Sequence, residues 1–469
     1  MLKITTTLQK IEGFKKGKTA KNSFSKSIFL GIALLVLGQN VSHAQLTVTG
    51  QFRERTEARG GFGTLLQDGK KGALFTSQRA RLNVGFAGYR YKVYASLQDV
   101  RVWGQDASTV NRYTMDANDG LLLHEAWTEL SLVDTLSTIQ NFSIKIGRQE
   151  ISYDDQKVLG SLDWLQQARR HDAIVLKYAN KGWTIDLGAA FNQRSEQLTG
   201  TTYNGQPGTY PAGTNLIGHA YKSFQYAYIG RKFFFGDMSF LFFKDDFSKF
   251  TGTVAAPTII EGVNARTTTG IYYNVNPTRK LNLNGSFYYQ GGHDKVGNTI
   301  SARLGSLTAT YQFGRKLFLG AGADFLSGTN ATGATQNNQF DPLYGTPHKF
   351  WGYMDYFYVA TGFGSQGLLN YYAKAKYLAS DKLSLFLDVH GFESAAKLAG
   401  DKTPYLGTEV DFMARYNFTK VINIEAGYSV MAATNTMAMV KAVVNPKLTA
   451  QFAYIMLKVT PNFLNTKKM

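Results

Sequence analysis

The sequence predicts an all-β chain: a transmembrane antiparallel β-barrel of about eighteen strands, with short turns at one end and long loops at the other. Three observations carry this. Apolar and polar residues alternate with period two along most of the chain. The connections between these segments alternate short and long in a fixed order. No stretch after Ala44 approaches the roughly eighteen apolar residues that a membrane-crossing helix needs.

The first segment begins at Leu46. Leu46, Val48, Gly50 and Phe52 fall on one face, and Thr47, Thr49, Gln51, Arg53 and Arg55 on the other, the pattern of a half-buried strand. In a barrel the apolar face meets lipid and the polar face lines the lumen. Eighteen such segments are expected: 46–58, 73–87, 91–102, 121–132, 141–150, 167–178, 182–193, 221–230, 237–248, 264–275, 281–291, 300–313, 316–327, 366–378, 382–392, 405–417, 421–432 and 449–461. Each has about the nine to eleven residues of a tilted membrane strand, with some overhang.

Short connections follow the even segments, as at Gly88-Tyr89-Arg90, Ala179-Asn180-Lys181 and Gly314-Arg315. Long ones follow the odd segments: 103–120, 151–166, 194–220, 249–263, 328–365 and 433–448. Short periplasmic turns opposite long extracellular loops mark an outer-membrane barrel. A soluble sandwich has no reason to segregate them. The loop 328–365 carries the aromatic run Phe350 to Phe357, and a long aromatic loop is expected to fold inward and narrow the lumen. Aromatic residues crowd strand ends at Tyr226, Tyr228, Phe233, Phe234, Phe235, Tyr272, Tyr273, Tyr288, Tyr289, Tyr371 and Tyr372, as interfacial girdles would.

Composition agrees. The chain has 27 Tyr and 32 Phe, 47 Gly against 9 Pro, and no Cys, which excludes disulfides and thiolate chemistry. Residues 1–44 read as a signal peptide: seven lysines against Glu12, an apolar core from Ile28 to Leu37, and small residues in Val41-Ser42-His43-Ala44 before Gln45. The lysine-rich part is long, so the true start is expected downstream of Met1. The barrel then occupies 45–469. The leader carries +6 of the chain's +18, leaving +12 scattered along the mature chain. Nucleic-acid binding would need those charges clustered on one face.

The catalytic inventory is thin. His124, His171, His219, His293, His348 and His390 show no metal-ligand spacing. His293-Asp294 and His348 lie in expected loops without a partner motif for hydrolysis. No cofactor is expected, and the chain does not read as an enzyme. The lumen face is richer. Arg53 and Arg55 on the first strand and Arg79 and Arg81 on the second share a face, Arg101 ends the third, Lys145 sits on the fifth and Arg169 on the sixth. Glu125 and Glu129 on the fourth, and Asp172 and Asp186 later, supply acids. Such charges either brace the wall as cross-strand pairs or concentrate anions and grip carboxylates. With few acids nearby, the four arginines of the first two strands are expected to form an open electropositive patch.

The stretch Gly147-Arg148-Gln149-Glu150-Ile151-Ser152-Tyr153, then Gly160, Asp163-Trp164 and Arg169 to Ile174, resembles the alginate export family. So does His348-Lys349-Phe350-Trp351-Gly352-Tyr353-Met354-Asp355-Tyr356-Phe357, followed by Gly367-Leu368. The resemblance implies a monomeric eighteen-stranded barrel in the outer membrane of a Gram-negative bacterium, conducting anionic polysaccharide or small anions through an arginine-rich lumen. It implies Arg148 and Arg169 at the constriction, with Asp163 and Asp172 orienting them. Members that export alginate are expected to carry a long late periplasmic turn that plugs the pore. Here the late turns, 379–382 and 418–420, are too short for that. The expected function is an anion channel. The alternatives are a general or sugar-specific uptake porin with structural lumen charges, and an outer-membrane hydrolase.

Overall fold

The computed structural model describes residues 44–105, 121–134, 136–204, 221–342, 344–357, 364–400 and 402–466. The expected signal peptide lies outside the described residues, apart from Ala44. From Gln45 onward the chain forms one compact unit. Its strands are β1 (Gln45–Gly60), β2 (Ala73–Gly88), β3 (Tyr91–Val102), β4 (Leu122–Ser131), β5 (Asn141–Gln149), β6 (His171–Asn180), β7 (Trp183–Phe191), β8 (Ser223–Phe233) and β9 (Gly236–Thr253). There follow β10 (Ala256–Val275), β11 (Leu281–His293), β12 (Thr299–Phe313), β13 (Leu317–Leu326), β14 (Leu368–Leu378), β15 (Leu383–Glu393), β16 (Tyr405–Asn417), β17 (Ile422–Ala433), β18 (Thr449–Val459) and β19 (Asn462–Asn465).

From β1 to β18 every strand pairs antiparallel with its sequence neighbour, and β1 closes the circle by pairing with both β2 and β18. β19 continues β18 along β1, from Thr49 to Thr47, after an interruption at Thr460 and Pro461. Proline offers no N–H to a ladder, so the closing strand breaks there, and the Pro461 carbonyl still accepts from the Gly50 amide at 2.9 Å. The barrel is thus eighteen-stranded. Closure leaves no unpaired edge in the hydrocarbon layer, where an unpaired backbone group is expensive. No helix among the described residues is long and apolar enough to cross a membrane.

Alternation sorts the two faces. Outside, Val84, Val93, Ile146, Ile174, Leu187, Phe240, Phe287, Leu387, Phe412 and Ile455 are exposed. Inside, Arg79, Gln98, Asp186, Asp245, Asp388 and Glu409 are buried. The aromatic residues expected as a girdle divide between the faces. Phe233, Phe234, Phe235, Tyr289 and Tyr371 are exposed, whereas Tyr226, Tyr272, Tyr288 and Tyr372 are buried inward. The inward ones occupy the opposite parity, which composition near turns does not register.

Two boundaries differ from expectation. β6 starts at His171 rather than at 167, so Arg169 belongs to the preceding loop. The segment expected as a loop at 249–263 is mostly strand: β9 and β10 run on past the rim to a link at Val254 and Ala255, with Phe250 opposite Ile259. Its glycines, threonines and proline read as loop, but pairing with each other satisfies the ribbon's backbone.

Candidate functional site

Among the described residues, two loops cross the interior, 150–170 between β5 and β6 and the described part of 327–367 between β13 and β14. In a closed eighteen-stranded barrel, strands about nine apart face each other. Loop 150–170 bonds to β1 and β2 at one end. Toward its start, Tyr153 donates to Asp186 on β7 (2.7 Å), and Asp154 accepts from Tyr228 on β8 and Ser239 on β9 (2.9 and 2.8 Å). It therefore crosses the lumen. Loop 327–367 crosses as well. Tyr344 packs on His171, Phe224 and Phe243 and donates to Asp245 on β9 at 2.9 Å. Asp341 pairs with Arg266 on β10 at 3.1 Å. On the far side the Met354 amide donates to Glu409 on β16 at 2.8 Å, and Phe357 packs on Phe392 of β15. The expected inward fold of this loop is what is seen: Trp351, Met354, Tyr356 and Phe357 are all buried.

The two loops form one plug. Leu159 and Tyr344 make a parallel bridge, with Gly160 N donating to Tyr344 O at 2.7 Å. Thr346 N donates to Gln156 O at 2.8 Å, and Arg169 Nη1 donates to Gly345 O at 2.7 Å. The Trp164 indole lies between the His348 ring at 3.9 Å and the Arg55 guanidinium at 3.9 Å, so both its faces are taken. Asp154, Gln156, Leu162 and Ala168 hold positive φ without being glycine. Such backbone persists only where its surroundings over-determine it. Gly352, at φ +83, lets the second loop lie against Glu409, because a Cβ there would come within 2.5 Å of Oε1.

The arginine patch of β1 and β2 exists, but it is not open. Arg53 donates to the carbonyls of Asp163 (2.6 Å) and Leu165 (2.9 Å) and to the Gln166 side chain (2.8 Å). Arg55 donates to Trp164 O and pairs with Glu57, both at 2.7 Å. Arg79, wholly buried, donates to Gln166 O at 3.1 Å and Asp163 Oδ1 at 2.8 Å. Burial would raise the Asp163 pKa, but Arg79 and Arg53 outweigh it and hold the carboxyl below its ordinary value of 3.8. The acid that pairs with Arg53 and Arg79 thus comes from a loop, whereas Arg55 finds its own on the same strand, Glu57.

The other expected site residues divide. Arg81 faces inward toward Gln98 and lies 4.0 Å from Glu150. Glu125, Glu129 and Lys145 share a cluster around Trp127: Lys145 lies over the indole at 4.0 Å, the indole N–H donates to Glu125 at 3.2 Å, and Lys92 pairs with Glu129 at 3.7 Å. Arg169 ties the loops together. Arg101, Arg148 and Asp172 do not belong to the lumen. Arg101 shares the outward parity of Val93, Leu97 and Asp99, and pairs with Asp99 at 2.8 Å. Arg148 shares that of Ile144 and Ile146, and meets Asp172 on the outer wall. Period two decides this: a residue cannot leave the face of its i±2 neighbours without a bulge.

Histidine spacing suggests no metal site, yet the fold gathers His124, Glu125 and Glu150 with one ligand atom each inside 4.8 Å. His124 sits at a β4 bulge, which sequence spacing does not reveal. Its Nε2 already bonds Glu150 at 2.9 Å and Arg81 is adjacent, so the cluster reads as a hydrogen-bonded charge network. His348 bonds Asp355 at 2.9 Å between two stacked rings, where it packs rather than faces a substrate.

Sequence reasoning missed the turn-side vestibule. A cavity of about 540 Å³ is lined by Arg53, Asp163, Arg415, Lys420, Glu425 and Lys458, among others. Arg415 is bound to Glu425 at 2.7 Å. Lys420 and Lys458 form no ion pair among the described residues. Lys458 is the register partner of Arg53, so the signal lay in the closing pair of strands.

Residues 44–197 match the model of the alginate export family, a span that holds the first of the two motifs and not the second. No curated protein matches. Among solved structures, the chain resembles OccAB4 of Acinetobacter baumannii at 13% identity, covering 90% of this chain and 98% of that one, with a TM-score of 0.57. It resembles OccK11 (OpdR) of Pseudomonas aeruginosa at 12% identity, over 90% and 97%, with a TM-score of 0.56. A BenF-like porin of Pseudomonas fluorescens Pf-5 matches at 12% identity over 89% and 99%, again at 0.56. At such identities the likeness establishes the fold, which is that of outer-membrane porins.

Proposed function

We propose that this barrel is an outer-membrane channel of a Gram-negative cell that passes small anionic solutes, of carboxylate or uronate type, as a single barrel with its long loops outward. The observation that supports it is the vestibule on the turn side of the plug. Four cations, Arg53, Arg415, Lys420 and Lys458, line it against two acids, Asp163 and Glu425, and both acids are already engaged by arginines. A low-dielectric wall focuses that surplus into the passage and raises the local anion concentration. With two loops across the lumen, small anions suit the channel better than a polysaccharide chain.

A second reading, a general or sugar-specific uptake porin, is favoured by the engagement of Arg53, Arg55 and Arg79 with the loop. Reversal potentials in a planar bilayer separate the two. Under a potassium chloride gradient, and then with a uronate salt, the protein should prefer anions. Lys420→Gln with Lys458→Gln should lower that preference at least twofold at unchanged barrel assembly. Equal selectivity in the double variant would leave the uptake-porin reading standing.

A further inference from the structure

The loop-side ends of β5 and β6 carry charge on the outer wall. Arg148 is the last residue but one of β5, and Asp172 the second of β6. They are register partners, joined by two parallel bonds, Nε to Oδ1 at 2.8 Å and Nη2 to Oδ2 at 2.9 Å. The alternation of burial runs on from Asp172 toward the loop: Arg169 and His171 are buried, while Arg170 is half-buried and close to Arg148 and Asp172. Arg170 makes no hydrogen bond or ion pair among the described residues. It lies near enough to Arg148 to feel that charge, which adds to burial in lowering its pKa. Two guanidiniums beside one carboxylate leave a net positive charge.

The setting is apolar. Leu121, Leu122 and Leu123 on the β4 side, with Ile146 and Ile174 below, are all exposed. Charge facing lipid is costly at mid-membrane and cheap at the interface, so this group fits the level of the headgroups. The Asp172 carboxylate occupies the Nε edge of Arg148 and fixes its plane. The remaining Nη1 has only a 3.5 Å contact with Leu123 O. Planar guanidinium donors match phosphate oxygens better than any other side chain does.

We propose that Arg148, oriented by Asp172, and the neighbouring Arg170 form a site on the outer wall for the phosphate of a lipid headgroup in the loop-side leaflet, with Leu121–Leu123, Ile146 and Ile174 along its acyl chains. This rests on the outer-membrane reading but not on what the lumen conducts. A polybasic group near an anionic leaflet draws such headgroups electrostatically, and a shaped apolar flank adds selectivity for a lipid over a free ion.

The test uses the full-length purified protein in detergent with a fluorescent diphosphoryl glycolipid, its dephosphorylated counterpart, and inorganic phosphate as competitor. Wild type should bind the phosphorylated lipid at least tenfold tighter than the dephosphorylated one. Arg148→Gln with Arg170→Gln should remove that difference. If the double variant fails to fold, Arg170→Gln alone breaks no ion pair and should weaken binding several-fold. Equal affinity for both lipids, or an unaffected Arg170→Gln, overturns the site. Competition by inorganic phosphate at the lipid's own affinity overturns its assignment to a lipid. Conductance measured on the same preparations keeps the questions apart: a non-conducting wild type sinks the channel and leaves the lipid result intact, and the Arg148 and Arg170 variants should conduct as wild type.

Discussion

Two walls of the lumen hold the plug in opposite ways. On β1 and β2 the wall is basic and the loop turns carbonyl oxygens toward it: Asp163, Trp164, Leu165 and Gln166 each give an oxygen to Arg53, Arg55 or Arg79. On β16 the wall is acidic and the other loop turns amides toward it, Met354 N to Glu409 and Tyr353 N to Asp411. Backbone polarity explains both signs. A buried loop cannot leave its carbonyls and amides unpaired, and the strands supply cations for the one and carboxylates for the other. A charged lumen face therefore does not by itself mark a solute path. Its charges bind solute only where no loop has claimed them.

The comparison breaks most readily at Arg79. Arg79→Ala strips three acceptors and leaves Asp163 with Arg53 alone. Each buried acceptor left unpaired costs about 1–3 kcal/mol, while the Asp163 side of the pair, 44% exposed, is screened by solvent and adds little. The urea midpoint should fall, and single-channel conductance should rise as loop 150–170 comes loose. Conductance and stability both at wild-type values would mean the arginine wall does not hold the loop.

The acidic wall should respond less. Glu409→Ala orphans the Met354 amide, at about 1–3 kcal/mol, whereas Glu409→Gln keeps an acceptor and should lose less than half of that in the same urea titration. If Gln is as damaging as Ala, the carboxylate charge matters and the amide contact does not.

The smallest effect is in pH, and it sharpens the contrast within one loop. Asp163 is held below 3.8 by arginines, so its contribution is present above that value and lost as pH falls through its depressed pKa. Asp154, at the other end, sits among hydroxyls and burial pushes it up to about 6. Its linked contribution is full below 3.8 and lost as pH rises through about 6. Conductance should therefore step up modestly as pH rises past about 6, and Asp154→Asn should abolish that step. A step of unchanged size in the variant would assign it to another group.

All eighteen strands were legible because the bilayer enforces apolar alternation on one face of each, wherever the strand falls in the chain. The lumen was less so. The outward aim of Arg101 and Arg148 was written in their i−2 and i−4 neighbours, Asp99 and Leu97 for one and Ile146 and Ile144 for the other; residue type drew attention away from parity. The clamp on loop 150–170 had no such mark. Arg53 and Gln166 are 113 residues apart, and most of what the arginines hold is main chain, which every residue type shares. Of the vestibule lysines, Lys458 lies on β18 and Lys420 in the turn between β16 and β17, so only closure of the barrel brings them to Arg53.

The bridge between the two loops also orders the molecule in time. Leu162 and Thr346, whose contact helps seal it, are 184 residues apart. Contacts so distant in sequence form late, because the intervening chain must first be gathered. Loop 150–170 also leans on β1 through β3 and on β7 through β9, strands that must already curve toward one another before it can span them. By the same measure the seam of the wall, which pairs Gly60 with Gln451, is more distant still, so the plug is expected to settle before or together with closure of the barrel.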